Sequence, residues 1–193
     1  MKIGDPKGLE SLSAAIGKRR EPPPVHLWNP PYCGEIDMRI AADGSWHYQG
    51  SPIGRPAMVR LFASVLKRED DRYFLVTPVE KVGIKVDDAP FLAVSLAYEG
   101  AGRESALTFR TNVEDAVRCD QDHPLRFEPE AGTGGIKPYL HVRRDLWALV
   151  TRALFFDLVA LGETRDIDGQ KLFGIASAGE FFPMAPAEAV AGA

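Results

Sequence analysis

Short runs of alternating apolar and polar residues recur along the chain, which is the pattern of β-strands that bury one face. Ile36, Met38 and Ile40 form the first such run, and the turn-forming pair Asp43-Gly44 leads back into an aromatic strand. Further strands are predicted at residues 73–77, 82–86, 92–98, 107–111 and 139–142. So many short strands in succession, with no intervening helix, favour antiparallel and strongly curved sheets.

Two segments have the apolar spacing of three and four residues that predicts a helix. The first begins at Pro56, which suits a first helical turn, and extends toward Lys67. The second is the run "RRDLWALVTRALFFDLVALGE", with Asp145 as candidate N-cap and Gly162 as the residue that ends it. Because this run is apolar on nearly every side, we expect it to be covered on two sides. A short helix at 9–16 is also predicted, and we expect it to pack on the protein's own body.

The two helical segments resemble each other weakly, since "MVRLFASVL" and "VTRALFFDLV" each carry one arginine at a similar position. The match places Arg60 and Arg152 in the second turn of a helix that follows a pair of strands. We therefore predict an α+β fold of two related units, each a curved antiparallel sheet with one helix. If the helices meet across an interdomain groove, both arginines lie in the kind of cleft that commonly binds a ligand.

Composition and charge narrow the class of protein. The chain has 193 residues, 45% of them hydrophobic, which is enough for one large core or two small ones. A formal net charge of -4 argues against a general affinity for nucleic acid. No apolar run approaches the length of a membrane span, and no secretory signal is recognisable. The two cysteines, Cys33 and Cys119, are far apart in the sequence and form no disulfide framework or metal-binding pair. We expect a cytoplasmic protein with no membrane span.

The motifs of the common enzyme classes are missing from the sequence. It has no GxxxxGK[ST] phosphate loop and no GxSxG elbow, and "GTGGIKP" is interpreted as a loop. The run "CDQDH" at 119–123 contains four side chains able to bind a metal, but their spacing matches no standard site. We therefore expect no metal and no cofactor. A protein without catalytic activity is favoured, and an enzyme with an unfamiliar site is the least favoured alternative.

A set of polar residues lies at the predicted ends of strands and helices. Arginine suits the bidentate capture of phosphate or carboxylate, while threonine, asparagine and histidine supply orienting hydrogen bonds. The pattern thus predicts a site for a small anion. In the alternative interpretation, these residues form ion pairs and turns on an ordinary surface. The candidate ligand-binding residues are Arg55, Arg60, Thr77, Glu80, Lys81, Arg110, Thr111, Asn112, His123 and Arg152.

Several longer runs of the sequence, taken together, are specific enough to indicate a protein family. The runs "GEIDMRIAADGSWHYQGSPIGRPAMVRLFASVLKRED" and "YFLVTPVEKVGIKVDDAPF", with "LTFRTN", "HPLRF" and "PYLHVR" farther on, resemble the bacterial domain-of-unknown-function family 1285. The resemblance implies a duplicated α+β core whose C-terminal half is similar to pleckstrin-homology domains. It also implies binding of a nucleotide-like ligand at the domain interface, in signal transduction. We expect an N-terminal arm at 1–24, a first domain at 25–86 and a second domain at 87–193.

Two functions from different classes are consistent with these features. The first is a non-catalytic ligand-binding or sensory protein, which holds a small anionic ligand between its halves and signals to a protein partner. The second is an adaptor that binds a peptide at a sheet edge or groove. A concave pocket lined by arginine favours the first function, whereas an open strand edge or an apolar patch favours the second.

Overall fold

The computed structural model describes residues 23–100 and 105–190, which form two compact units. The first unit comprises residues 23–90 together with Arg144–Leu146, and the second comprises Phe91–Arg143 with residues 147–190. The helix predicted at 9–16 lies outside the described residues. Within them, no helix has both the length and the hydropathy that crossing a bilayer requires.

One six-stranded sheet forms the first unit. Its strands are β1 (Tyr32–Ile40), β2 (Trp46–Tyr48), β3 (Ser51–Pro52), β4 (Leu66–Glu69), β5 (Arg72–Val76) and β6 (Lys81–Val86). The strand order across the sheet is β3-β2-β1-β6-β5-β4. A 3-10 helix at Val25–Leu27 precedes the sheet, and helix α1 (Pro56–Ser64) follows β3.

The predicted hairpin at the start of this sheet is present. β1 and β2 pair antiparallel, and the Ser45 amide donates a hydrogen bond of 2.9 Å to Asp43 Oδ1 in the turn between them. Gly44 has a φ of +79°, a conformation that glycine adopts without strain. The turn chemistry in the sequence therefore accounts for the reversal of the chain.

Helix α1 packs on the apolar face of this sheet. It begins at Pro56, as predicted, and its Phe62 ring stacks on Trp46 with the ring centroids 6.4 Å apart. Both side chains are buried. The helix ends at Ser64 rather than near Lys67, because the backbone of β4 pairs with β5 and cannot also continue the helix.

A second six-stranded sheet and a three-stranded sheet form the second unit. The strands of the larger sheet are β7 (Phe91–Glu99), β8 (Ala106–Thr111), β9 (Ala116–Arg118), β10 (Leu125–Pro129), β11 (Ile136–Arg143) and β12 (Leu146–Val150). Their order is β10-β11-β12-β7-β8-β9. The smaller sheet, which was not predicted, contains β13 (Glu163–Ile167), β14 (Gln170–Ser177) and β15 (Glu180–Pro186). The helices are α2 (Arg152–Leu161) and α3 (Ala187–Val190).

The prediction that a long helix begins at Asp145 is wrong. Strand β12 follows Asp145 and pairs in parallel with β7, and α2 begins only at Arg152, after the N-cap residue Thr151. Burial along β12 alternates from residue to residue, which is the period of a strand. Arg152 is consequently the first residue of α2 and does not lie in its second turn. Gly162 ends the helix, as predicted.

The predicted α+β class is confirmed, with two curled six-stranded sheets and few helices. Each large sheet also contains one parallel pair among antiparallel ones, β1 with β6 and β7 with β12. Parallel neighbours require a crossover connection, because the chain must return to the same end of the sheet. In each unit, the elements between the two paired strands supply that connection.

Candidate functional site

A cavity of about 510 Å³ lies in the second unit beside the start of α2. The β10–β11 loop, β11, β12 and the first turns of α2 line it. Its volume falls within the range of roughly 300–1,000 Å³ that is typical of small-molecule sites. The lining residues that can contact a ligand through charge, hydroxyl or ring are Glu130, Thr133, Lys137, Arg152, Phe155 and Phe156.

Arg152 is the predicted candidate that lines this cavity. Its guanidinium carbon lies 5.9 Å from the centre of the Phe156 ring, and within the described residues it forms no ion pair. The first turn of α2 contains no acidic residue. A cation at the positive end of a helix dipole is unfavourable, so a nearby anion would stabilise this arrangement.

The run "GTGGIKP" contributes to one rim of the cavity; residues 132–135 form a loop, as predicted, whereas residues 136–138 are the start of β11. The Glu130 amide donates to the Gly135 carbonyl at 2.8 Å, and the Thr133 hydroxyl donates to Glu130 Oε2 at 2.7 Å. Gly132 and Gly134 have φ values of +83° and +69°, where a side chain would introduce strain. The loop therefore holds one carboxylate at the rim of the cavity.

Three predicted site residues meet at the β5–β6 turn of the first unit. Thr77 is buried, and its Oγ1 accepts a hydrogen bond from the Glu80 amide at 3.1 Å. Lys81 Nζ lies 2.7 Å from Glu69 Oε2 in an ion pair. Thr77 and Lys81 are thus engaged by the protein itself, which supports the alternative interpretation for these two residues.

Arg110, Thr111 and Asn112 lie together at the end of β8. Thr111 Oγ1 accepts from the Asp115 amide at 3.0 Å, and Asn112 Oδ1 accepts from the Leu92 amide at 3.0 Å. These hydrogen bonds close the β8–β9 turn and join it to β7. Arg110 is exposed and remains accessible to a ligand.

His123 belongs to a group of rings on the larger sheet of the second unit, in which it stacks on His141 and His141 meets Trp147 edge-on. Its ring lies 5.6 Å from that of His141, which lies 5.1 Å from Trp147. The Arg126 guanidinium carbon lies 4.1 Å from the centre of the Trp147 ring. This group was not predicted, because its members lie on a loop and on three different strands that only the sheet brings together.

Arg55 immediately precedes α1, and Arg60 lies within it. Arg55 is the N-cap residue, where its side chain makes no capping hydrogen bond, and Arg60 is half-buried in the second turn. Arg60 and Arg152 are in different units. The groove that the two arginines were predicted to share therefore stays a prediction.

A second polar cluster in the first unit lies on β1 and β5. The Tyr32 hydroxyl donates to Glu35 Oε1 at 2.6 Å, and Arg72 donates to both residues. The hydrogen bond from Tyr32, supported by the charge of Arg72, lowers the pKa of Glu35. A Cβ on Gly83 would come within 2.2 Å of the same carboxylate, so glycine leaves the space that Glu35 fills. The opposite charges of Glu35 and Arg72 are thus paired with each other.

The run at 119–123 does not assemble a metal site. No group of three or more His, Cys, Asp or Glu side chains in the part of the chain that the structure describes is placed to hold a metal ion. The main-chain amide of His123 instead donates to Asp120 Oδ1 at 3.0 Å, which forms a turn.

The two cysteines should differ in reactivity. Cys33 is exposed, whereas Cys119 is buried, and burial raises the pKa of Cys119 to about 12. Because the thiolate is the reactive form, Cys119 should be inert near neutral pH. Titration with an aromatic disulfide should detect one thiol in the native chain and both in denaturant. Native Cys33→Ser should then show no reactive thiol, and reaction of both cysteines in the native wild type would contradict the burial of Cys119.

The sheets and helices described above define a duplicated α+β protein with a ligand-sized cavity in its second unit. The model of the N-terminal domain of DUF1285, a domain of unknown function, matches residues 23–89, and that of the DUF1285 C-terminal domain matches residues 90–184. The chain belongs to the DUF1285 family. The resemblance found in the sequence is thereby confirmed.

Two solved structures are similar to this chain. A DUF1285 family protein from Silicibacter pomeroyi DSS-3 is 53% identical, covering 95% of this chain and 98% of that chain with a TM-score of 0.89. A DUF1285 family protein from Shewanella baltica OS155 is 33% identical, covering 65% of this chain and 91% of that chain with a TM-score of 0.51. No protein among those curated for function matches the chain. The family description assigns no function, so function must be argued from the site.

Proposed function

We propose that the protein is a non-catalytic binding protein that holds a small organic anion in the cavity beside Arg152. The observation that carries this proposal is a guanidinium at the lining of a ligand-sized cavity, with no ion pair among the described residues. Arginine forms bidentate hydrogen bonds with carboxylate and phosphate groups. Arg152 is at the start of α2, where the positive end of the helix dipole attracts an anion and disfavours a cation.

The role proposed for this binding is sensory. A ligand that contacts the β10–β11 loop, β12 and α2 at once would stabilise these elements together, and a protein partner could read that change. Nucleotide-like phosphates are the first ligands to test, because the family resemblance implies them and the cavity has room for them.

The test is a thermal-shift screen of the full chain against inorganic phosphate, nucleoside monophosphates and cyclic nucleotides. A compound that binds the folded state should raise the melting temperature of the wild type. Arg152→Ala should weaken binding by about tenfold or more, because charge-assisted hydrogen bonds are lost. The exposed Arg118 of β9 supplies a matched control, and Arg118→Ala should bind like the wild type.

The same variant allows a second check, in the absence of ligand. Arg152→Ala removes a cation from the positive end of the α2 dipole. The free energy of unfolding should therefore stay the same or rise by about 0.3–1 kcal/mol, and the melting temperature should not fall. A large loss of stability in Arg152→Ala would mean that the arginine is structural. Equal ligand binding by Arg152→Ala and the wild type would also contradict the proposal.

One observation favours the alternative of a peptide-binding adaptor. Among the described residues, β12 pairs with only the first three residues of β7, Phe91 to Ala93, and residues 95–99 pair on one side with β8. Val94 and Tyr98 are exposed over 44% and 52% of their surface. An unpaired strand edge of this kind can accept an extended peptide. Absence of any anion binding in the screen would favour this second function.

A further inference from the structure

Phe156 is exposed over 60% of its surface and lines the cavity. Leu154 and Leu158, two residues before and after it on α2, are buried, so the Phe156 ring faces away from the core. When a ligand covers a large aromatic ring that was in contact with water, the free energy of the system falls. Phe156 therefore offers a surface on which an apolar group can pack.

The rest of the lining is mostly apolar as well. Pro138 and Val150 are buried at the wall, and the Phe155 ring is half-buried beside Phe156. The cavity volume of about 510 Å³ is many times the roughly 30 Å³ that a water molecule occupies in the liquid. A compact inorganic ion would leave most of this apolar surface uncovered. The apolar residues of the described chain that line the cavity are Ile136, Pro138, Leu149, Val150, Phe155 and Phe156.

Among the described residues that line the cavity, three are charged: Glu130, Lys137 and Arg152. The Thr133 hydroxyl donates to Glu130 Oε2, and no described residue bonds its second oxygen, Oε1. This carboxylate repels densely charged ions and accepts a hydrogen bond from an N–H or O–H group. The lining thus combines one anion-binding guanidinium with a separate acceptor and an apolar wall.

We infer that the cavity selects anions that carry a flat apolar group, which packs against Phe156 while the anionic group pairs with Arg152. Phe156 is then the residue that determines selectivity, and Glu130 accepts a hydrogen bond from ligands that have a donor. This inference rests on the proposed function, since it names the class of ligand for the same cavity.

The experiment compares three phosphates in protein-observed NMR titrations of the full chain. Inorganic phosphate carries no apolar group, hexyl phosphate carries a flexible one and phenyl phosphate carries a flat one. Phenyl phosphate should bind the wild type at least tenfold more tightly than inorganic phosphate and severalfold more tightly than hexyl phosphate. Phe156→Ala should remove most of that advantage and should lower the affinity for phenyl phosphate by a much larger factor than that for inorganic phosphate. Leu161→Ala, a variant of an exposed residue at the end of the same helix, should behave like the wild type.

The possible results separate the inference from the proposed function. If none of the three compounds binds, and the nucleotide screen is also negative, the proposed function fails and the inference fails with it. If all three bind equally, and Arg152→Ala weakens all of them, the proposed function stands and the inference is overturned. If phenyl phosphate binds most tightly but Phe156→Ala has no effect, the role assigned to Phe156 is overturned.

Discussion

Replacement of Gly174 by alanine should lower the free energy of unfolding by about 3 kcal/mol, which is the upper part of the range for overpacked sites. A Cβ at this position would lie 2.4 Å from the Phe182 carbonyl oxygen and 2.9 Å from Pro183 Cα. Both are main-chain atoms, so they cannot rotate away as a side chain would. The Phe181 ring, 2.8 Å from the same Cβ, adds a further clash.

The position of Gly174 explains why the strand requires glycine. Gly174 is opposite Pro183 in the β14–β15 ladder, next to a register shift between Phe173 and Gly174. Glycine in a strand often marks a bulge or a close backbone approach, and both occur here. The alanine variant would have to separate the two strands or move the bulge.

The matched control is Gly54→Ala, which adds the same methyl group where no heavy atom lies within 4 Å. In this control, the free energy of unfolding should stay the same or rise by about 0.4–1 kcal/mol, because alanine restricts the conformations of the unfolded chain. Thermal and urea unfolding followed by circular dichroism would measure both variants. Equal stability of Gly174→Ala and the wild type would mean that β14 and β15 separate at little cost in free energy.

Replacement of Ser177 by alanine should lower the free energy of unfolding by about 2–4 kcal/mol, since two buried main-chain groups lose their partner. Ser177 is exposed over only 1% of its surface. Its hydroxyl donates to the Cys119 carbonyl at 2.6 Å and accepts from the Leu107 amide at 2.9 Å. One side chain therefore joins the end of β14 to β8 and to the residue after β9.

Amide hydrogen exchange at Leu107 tests this prediction directly, because the Leu107 amide donates to the Ser177 hydroxyl. The Leu107 amide should be strongly protected in the wild type and should exchange faster in Ser177→Ala. Ser95→Ala removes an exposed hydroxyl from β7 of the same unit and should change stability by no more than about 0.5 kcal/mol. Unchanged protection of Leu107 in Ser177→Ala would show that another group or a water molecule replaces the hydroxyl.

Several features of the fold were predicted correctly because their causes are local. The Asp43-Gly44 turn follows from the conformational freedom of glycine and from the Asp43 side chain as an acceptor. Helix α1 begins at Pro56 because proline lacks an amide hydrogen that the first helical turn does not need. In each case, a few neighbouring residues determine the backbone without help from distant ones.

The candidate site was predicted less completely. Thr77, Thr111 and Asn112 were chosen as polar groups for a ligand, yet their side chains bond to main-chain groups at turns. A sequence does not reveal whether a short polar side chain contacts its own backbone or a ligand, because both arrangements favour the same residue types. Arg152 was singled out, but its neighbours Glu130 and Phe156 were not, because only the folded chain brings them to one cavity.

What the sequence by itself determined is the α+β class, the strands with strict alternation, the turns and the family. What only the tertiary structure decided is the parallel pairing of β12 with β7, and with it the place of Arg152 at the first residue of α2. The physical reason is that a short apolar run such as Leu146–Val150 suits a helix or a strand equally well. Hydrogen bonds to β7, which is more than 50 residues earlier in the chain, settle the choice in favour of the strand.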